Sequence, residues 1–195
     1  MTVTSIGQLV VASKNPDKIA EIEAVLVATG VVGEIVRGLE WPDVEETGAT
    51  LEENALLKAR AVAGATGLPA LADDTGLEVT ALDGAPGVIT GRYAGPEATY
   101  ADNVVRLLAD LQGVEDRSAV FRSVVAIAWP DGSTIVAEGR LPGHITTSPR
   151  GEHGFGYDPV FEVDGRTLGE MAVAVKNQVS HRARALRSLA NAMAS

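Results

Sequence analysis

The stretch that most limits what this chain can fold into lies at residues 69 to 76. A short apolar run, Pro69 to Ala72, has the composition of a buried strand but leads into two adjacent carboxylates, Asp73 and Asp74, followed by Thr75 and Gly76. Side chains on a strand alternate faces, so neighbouring aspartates reach one place only if the chain turns there. Two anions this close repel unless a cation or a shared proton intervenes. The pattern therefore predicts a strand that stops at the pair, a turn beyond it, and a cation that both carboxylates serve.

The segments around this strand read as an alternation of strands and helices. Leu9 to Ala12 form a second apolar run, followed by Ser-Lys-Asn-Pro-Asp-Lys and then Ile19, Ile22, Val25 and Leu26 at helical spacing. Asn15 suits the N-cap and Pro16 the first helical position, which puts Asp17 and Lys18 in the first turn. A helix N-terminus after a strand offers free N–H groups to a phosphate, framed here by Ser13, Asn15 and Lys18. Thr50 and Glu53 form a capping box that opens a helix over residues 50 to 63, with Asn54 and Lys58 four apart on one face. Glu45 and Glu46, just upstream, lie in a loop and are either solvated or ligands.

Further on, residues 99 to 111 predict an amphipathic helix capped by Thr99, with Val104, Leu107, Leu108 and Leu111 inward. Residues 118 to 140 predict a hairpin around Pro130-Asp131-Gly132. A last helix starts after Ser180 and turns Ala183, Leu186, Leu189, Ala190 and Met193 inward. His181 and Arg182 sit in its first turn, where a cation opposes the helix dipole and calls for an acceptor nearby. Residues 154 to 161, Gly-Phe-Gly-Tyr-Asp-Pro-Val-Phe, place Phe155 and Tyr157 among glycines, either as core residues or as rings that stack on a flat ligand.

Composition narrows the chemistry. With no cysteine, thiolate nucleophiles, disulfides and thiolate metal sites are excluded, and a reducing compartment fits. A formal charge of -10 leaves no broad basic surface for nucleic acid or an anionic membrane. No apolar run is long enough to span a bilayer and the N-terminus does not read as a secretory signal, so a cytosolic protein is expected. The 16 basic residues are 12 arginines and four lysines, Lys14, Lys18, Lys58 and Lys176; either a GC-rich genome has replaced surface lysine with arginine wholesale, or the lysines that remain mark positions where a compact point charge is required. Phosphate-loop, dinucleotide, zinc-helix and serine-elbow motifs are missing, and His144, His153 and His181 lack metal-ligand spacing.

Eight blocks, ASKNPDK, EETG, ENALLKA, LADDTGLEV, GAPGV, RYAG, GFGYDPVF and KNQVSHR, occur in this order between residues 12 and 182. Together they resemble the signature blocks of the RdgB-like inosine triphosphate pyrophosphatase family. The resemblance implies one α/β domain over residues 1 to 195, with a long mixed sheet, two lobes around a nucleotide-binding cleft, and usually a homodimer. It also implies Mg²⁺-dependent hydrolysis of noncanonical purine nucleoside triphosphates, ITP, dITP and XTP, to monophosphate and pyrophosphate.

Carried over block by block, Ser13, Asn15 and Lys18 would hold the triphosphate, with Asn54 and Lys58 lining the same groove. Glu45 or Glu46 and Asp74 would bind Mg²⁺. Asp74 would also be the base that activates water, with Asp73 supporting it and Thr75 touching the substrate. Phe155, Gly156, Tyr157 and Asp158 would receive the purine, with Lys176, His181 and Arg182 completing the pocket. Lys14 replaces a frequent glycine of the first block and either adds a phosphate contact or faces water. The rival readings are a pyrophosphatase for modified pyrimidine nucleotides and a catalytically silent nucleotide-binding protein.

Overall fold

In a computed structural model that describes residues 5–194, the strand carrying the aspartate pair does not stop at it. The strand β3 runs Ala70–Val79, and Asp73 and Asp74 lie in its middle. The expected turn at Thr75 and Gly76 is therefore corrected to continuous extended backbone. The physical reason is that the two carboxylates do not share one target, so alternation along a straight strand suits them.

Eight strands are joined in the order β2-β1-β3-β5-β6-β7-β8, with β4 paired to β3. They are β1 (Ile6–Val11), β2 (Val32–Val36), β3, β4 (Pro86–Gly87), β5 (Ser118–Ala128), β6 (Thr134–Ile145), β7 (Phe161–Val163) and β8 (Arg166–Thr167). β1 runs parallel to β2 and β3, whereas the β3–β4, β6–β7 and β7–β8 pairs are antiparallel. The helices are α1 (Pro16–Thr29), α2 (Leu51–Thr66), α3 (Tyr100–Asp110), α4 (Val173–Val179) and α5 (His181–Ala194). The expected mixed α/β class is what the chain adopts. No helix among the described residues is long and apolar enough to cross a membrane.

The chain divides into two compact units. One comprises the chain up to Asp74, Ser123–Gly139 and the segment from His181; the other comprises Thr75–Arg122 and Arg140–Ser180. In the first, Leu9 and Val11 of β1, Ile22, Val25 and Leu26 of α1, and Ala183, Leu186, Leu189 and Met193 of α5 form one buried cluster with Leu71, Val125 and Ile127. Ile22, Val25 and Leu26 are the apolar stripe read from the sequence, and helical spacing puts them on one face. Gly139 of β6 lies against the start of α5 so closely that a Cβ there would come within 2.2 Å of backbone atoms of His181 and Ala185. The second unit has its own core, in which Val104, Leu107 and Leu111 of the α3 segment pack with Leu77, Val79, Phe121, Leu141, Tyr157 and Phe161.

Candidate active site

The β1–α1 connection exposes the start of a helix. Asn15 is the N-cap in extended conformation, and its Oδ1 accepts from the N–H groups of Asp17 (2.9 Å) and Lys18 (3.4 Å). Pro16 follows where its missing N–H is no loss. The Asn15 N–H donates to Ser13 Oγ at 3.2 Å, which fixes the loop. Ser13, Lys14, Asn15 and Lys18 line a cavity of about 300 Å³ in the first unit, with Trp41, Asp43, Glu46, Lys58 and Asp73 on its other walls. Three lysines and three carboxylates thus meet in one place, a composition that suits a polyanion carried with a cation.

The aspartate pair uses both faces of β3. Asp73 Oδ2 accepts from Arg182 Nε at 3.0 Å and lies 3.4 Å from Lys18 Nζ. Arg182, itself buried, also donates through its Nη1 to Glu21 on α1. Burial alone would push the Asp73 carboxyl up, but Lys18, Arg182 and Lys58 outweigh it and hold the group far below the usual carboxylate range. Burial likewise pulls on Arg182, and Asp73 and Glu21 more than compensate.

Asp74 faces elsewhere. Its Oδ1 lies 3.3 Å from Lys58 Nζ, and its Oδ2 accepts from Asn54 Nδ2 at 3.3 Å. Here burial is the largest influence and raises the carboxyl above its ordinary value; Lys58 and Lys18 oppose it, while Glu46 and Asp73 add to it. The surroundings thus drive the two adjacent carboxyls in opposite directions, Asp73 down and Asp74 up.

Lys58 also donates to Glu46 Oε1 at 2.6 Å, so one ammonium bridges two carboxylates. Burial lowers the Lys58 ammonium, but Asp74, Asp73 and Glu46 hold it above its usual value. The loop bearing Glu46 is pinned to α2, since the Gly48 N–H donates to Asn54 Oδ1 at 2.8 Å. A Cβ on Gly48 would come within 2.6 Å of that oxygen, so the close approach requires glycine. Thr50 caps α2 through the capping box with Glu53. Glu45 is exposed. Among the described residues, no group of three or more His, Cys, Asp or Glu side chains is arranged to hold a metal ion.

The second unit holds the Gly154–Asp158 segment. Asp158, buried, accepts from the Phe155 N–H at 2.8 Å and pairs with the Lys176 ammonium, which stands 4.7 Å from the Phe155 ring centroid. Gly154 has φ +73°, and a Cβ there would meet Asp158 Oδ2 at 2.0 Å. The two aromatics separate: Phe155 is half-buried with Tyr100 at 5.7 Å, whereas Tyr157 belongs to the core and donates its hydroxyl to the Thr90 carbonyl at 3.0 Å. Of the two rings proposed for stacking, only Phe155 has a face outside the core. Burial pushes the Tyr157 phenol upward.

Comparison with known proteins decides the family. A sequence profile of the Ham1 family matches residues 9–192. The chain belongs to the Ham1 family. It is 47% identical over 197 residues to a dITP/XTP pyrophosphatase of Caulobacter vibrioides, covering 96% of this chain and 98% of that one. Among solved structures, a HAM1 protein from Coxiella burnetii superposes with TM-score 0.82 at 41% identity, covering 95% and 98% of the two chains. The nucleoside-triphosphatase / dITP/XTP pyrophosphatase of Mycobacterium abscessus gives 0.73 at 45% identity, covering 93% and 97%.

Against this Ham1 background, the expected residues fall into two sets. Ser13, Lys14, Asn15, Lys18, Glu46, Asn54, Lys58, Asp73 and Asp74 belong to the first unit, with Glu45 exposed beside Glu46; Phe155, Gly156, Tyr157, Asp158 and Lys176 belong to the second, with Thr75 half-buried at its first residue. His181 and Arg182 are buried at the start of α5 in the first unit, and the Arg182 guanidinium is engaged by Asp73 and Glu21. Glu21 escaped the sequence reading. Its signal was an acidic residue beside Ile22 on the stripe that α1 buries.

Proposed function

We propose that this Ham1-family chain hydrolyses ITP, dITP and XTP to the nucleoside monophosphate and pyrophosphate, removing deaminated purines from the nucleotide pool. The observation that carries the reading is the split aspartate pair, one ionised and one raised, beside a cavity that gathers three lysines at a helix N-terminus. The relatives named dITP/XTP pyrophosphatases supply the substrate class.

In this reading Ser13, Asn15 and Lys18 take the phosphate oxygens. Asp74 accepts a proton from water as that water's oxygen bonds the α-phosphorus. The bond from the α-phosphorus to the α–β bridging oxygen breaks, and pyrophosphate leaves with the electron pair. Asn54 and Lys58 orient the Asp74 carboxylate, so it is held before substrate arrives. Asp73 stays ionised and anchors Lys18 and Arg182. We assign Arg182 to this anchoring rather than to the purine.

Glu46 and Asp74 converge on the Lys58 ammonium, and as a hard oxygen pair they would hold Mg²⁺, with Glu45 adjacent in sequence. When bound, that ion supplies charge neutralisation at the phosphate oxygens and acidifies water. The purine goes to the Phe155–Asp158 segment and Lys176 of the second unit. The Lys176 ammonium donates, which suits a 6-keto group and leaves the 6-amino group of adenine unpaired. The working assembly is the homodimer usual for the family, in the cytosol, with no nucleic-acid partner.

The test is product analysis with purified protein, Mg²⁺ and a panel of ITP, XTP, ATP, GTP and a pyrimidine triphosphate, separated by ion exchange. Monophosphate and pyrophosphate from ITP and XTP, with little from ATP or GTP and none without metal, is the expected result. Diphosphate with orthophosphate overturns the assignment of the attacked phosphorus, and no turnover overturns the enzyme reading.

A further inference from the structure

The four lysines differ in what it takes to change partner. Lys18 faces Asp73, Lys58 faces Asp74 as well as Glu46, and Lys176 faces Asp158; the aspartate side chains are only 1%, 8% and 3% exposed. A buried carboxylate stripped of its ammonium is left with a charge that water cannot reach. Lys14 is different. Its partner is Asp43, whose side chain is 91% exposed, and the lysine itself is 60% exposed. Asp43 can be re-solvated at once, and an exposed pair of this kind is weak. Lys14 is therefore the ammonium of this cavity that exchanges partner most easily.

Its position gives that exchange a purpose. Lys14, Ser13 and Trp41 line both the 300 Å³ cavity and an adjoining one of about 550 Å³ that Leu39 and Glu40 complete. Lys58, which lines the smaller cavity, reaches Asp74 at 3.3 Å, so with the α-phosphorus at that end the departing phosphates fall to the part of the cavity that the exposed Lys14 lines. We propose that Lys14 binds the departing pyrophosphate and that Asp43 holds the same ammonium in the free protein, as an intramolecular competitor. This rests on reading the chain as a pyrophosphate-releasing hydrolase. In the bound state Lys14 donates to pyrophosphate oxygens and Asp43 faces water; on product release the pair re-forms.

The test is calorimetric titration of inorganic pyrophosphate, with Mg²⁺, into the full chain, Lys14→Met, Asp43→Asn and the double variant, alongside ITP kinetics. Lys14→Met weakens pyrophosphate by about tenfold, the scale of one charge-assisted contact, and raises KM for ITP with kcat little changed. Asp43→Asn tightens pyrophosphate severalfold, and this gain disappears in the Lys14→Met background. A gain that persists there means that Asp43 acts through the general field alone, and it overturns the proposal. Unchanged pyrophosphate binding in Lys14→Met overturns it too, while ITP turnover in the parent leaves the enzyme reading standing. A parent chain that neither cleaves ITP nor binds pyrophosphate overturns both.

Discussion

At the scale of single residues, the two aspartates of β3 are separable by substitution. Asp74→Asn removes the proposed proton acceptor, and kcat for ITP is expected to fall by about 10² to 10⁴-fold, the range of general base catalysis. Because the folded protein raises the Asp74 carboxyl, its ionised form at neutral pH costs stability. The Asn variant, free of that charge, melts at or above the parent temperature in metal-free buffer, and a clear drop in Tm would contradict the assignment. Asp73 has the opposite sign. Its folded value is depressed, so its contribution is fully present above the ordinary carboxylate value of about 4 and drains away as the pH falls below that. Arg182→Met leaves Asp73 and Glu21 with their charges buried and a partner missing, at a cost of about 3–5 kcal/mol. Chemical unfolding measures that loss, and acid unfolding of this variant moves to higher pH.

At the scale of elements, α2 and the loop before it act together. Thr50→Ala removes one half of the capping box, and helix stability drops by about 0.5–2 kcal/mol. Gly48→Ala forces a methyl against Asn54, whose amide reaches Asp74, so ITP turnover falls while the unfolding transition changes less. Steady-state kinetics beside thermal melts distinguish the two. Elements with a local signature were readable: the Asn15 and Thr50 caps, the Thr99 capped helix, and the hairpin around Asp131 all stand where spacing and turn chemistry put them. β2, α4 and the short β7–β8 pair carried no such signature. β2 has only partly buried and exposed residues, and α4 buries Lys176 alone, so neither shows a hydrophobic period. The candidate site was legible in residue type but not in pairing. Nothing in the sequence says that Asp73 meets Arg182, 109 positions away, or that Lys58 bridges Glu46 and Asp74.

At the scale of the whole molecule, each unit is assembled from segments that are far apart in sequence. The backbone passes between them after Asp74, Arg122, Gly139 and Ser180. α5 supplies Leu186, Leu189 and Met193 to the first core and Arg182 to Asp73. A chain ending at Ser180 therefore lacks part of that core and the counter-charge of a buried carboxylate. Such a truncation loses the cooperative melt of the full chain, which circular dichroism against temperature checks. The aspartates emerge from the ribosome more than a hundred residues before the arginine that neutralises one of them. Lys18 and Lys58 precede the aspartates, but the guanidinium that completes the counter-charge of Asp73 arrives only with α5. Copies that stop before α5 therefore carry both aspartates without the guanidinium that pairs with Asp73.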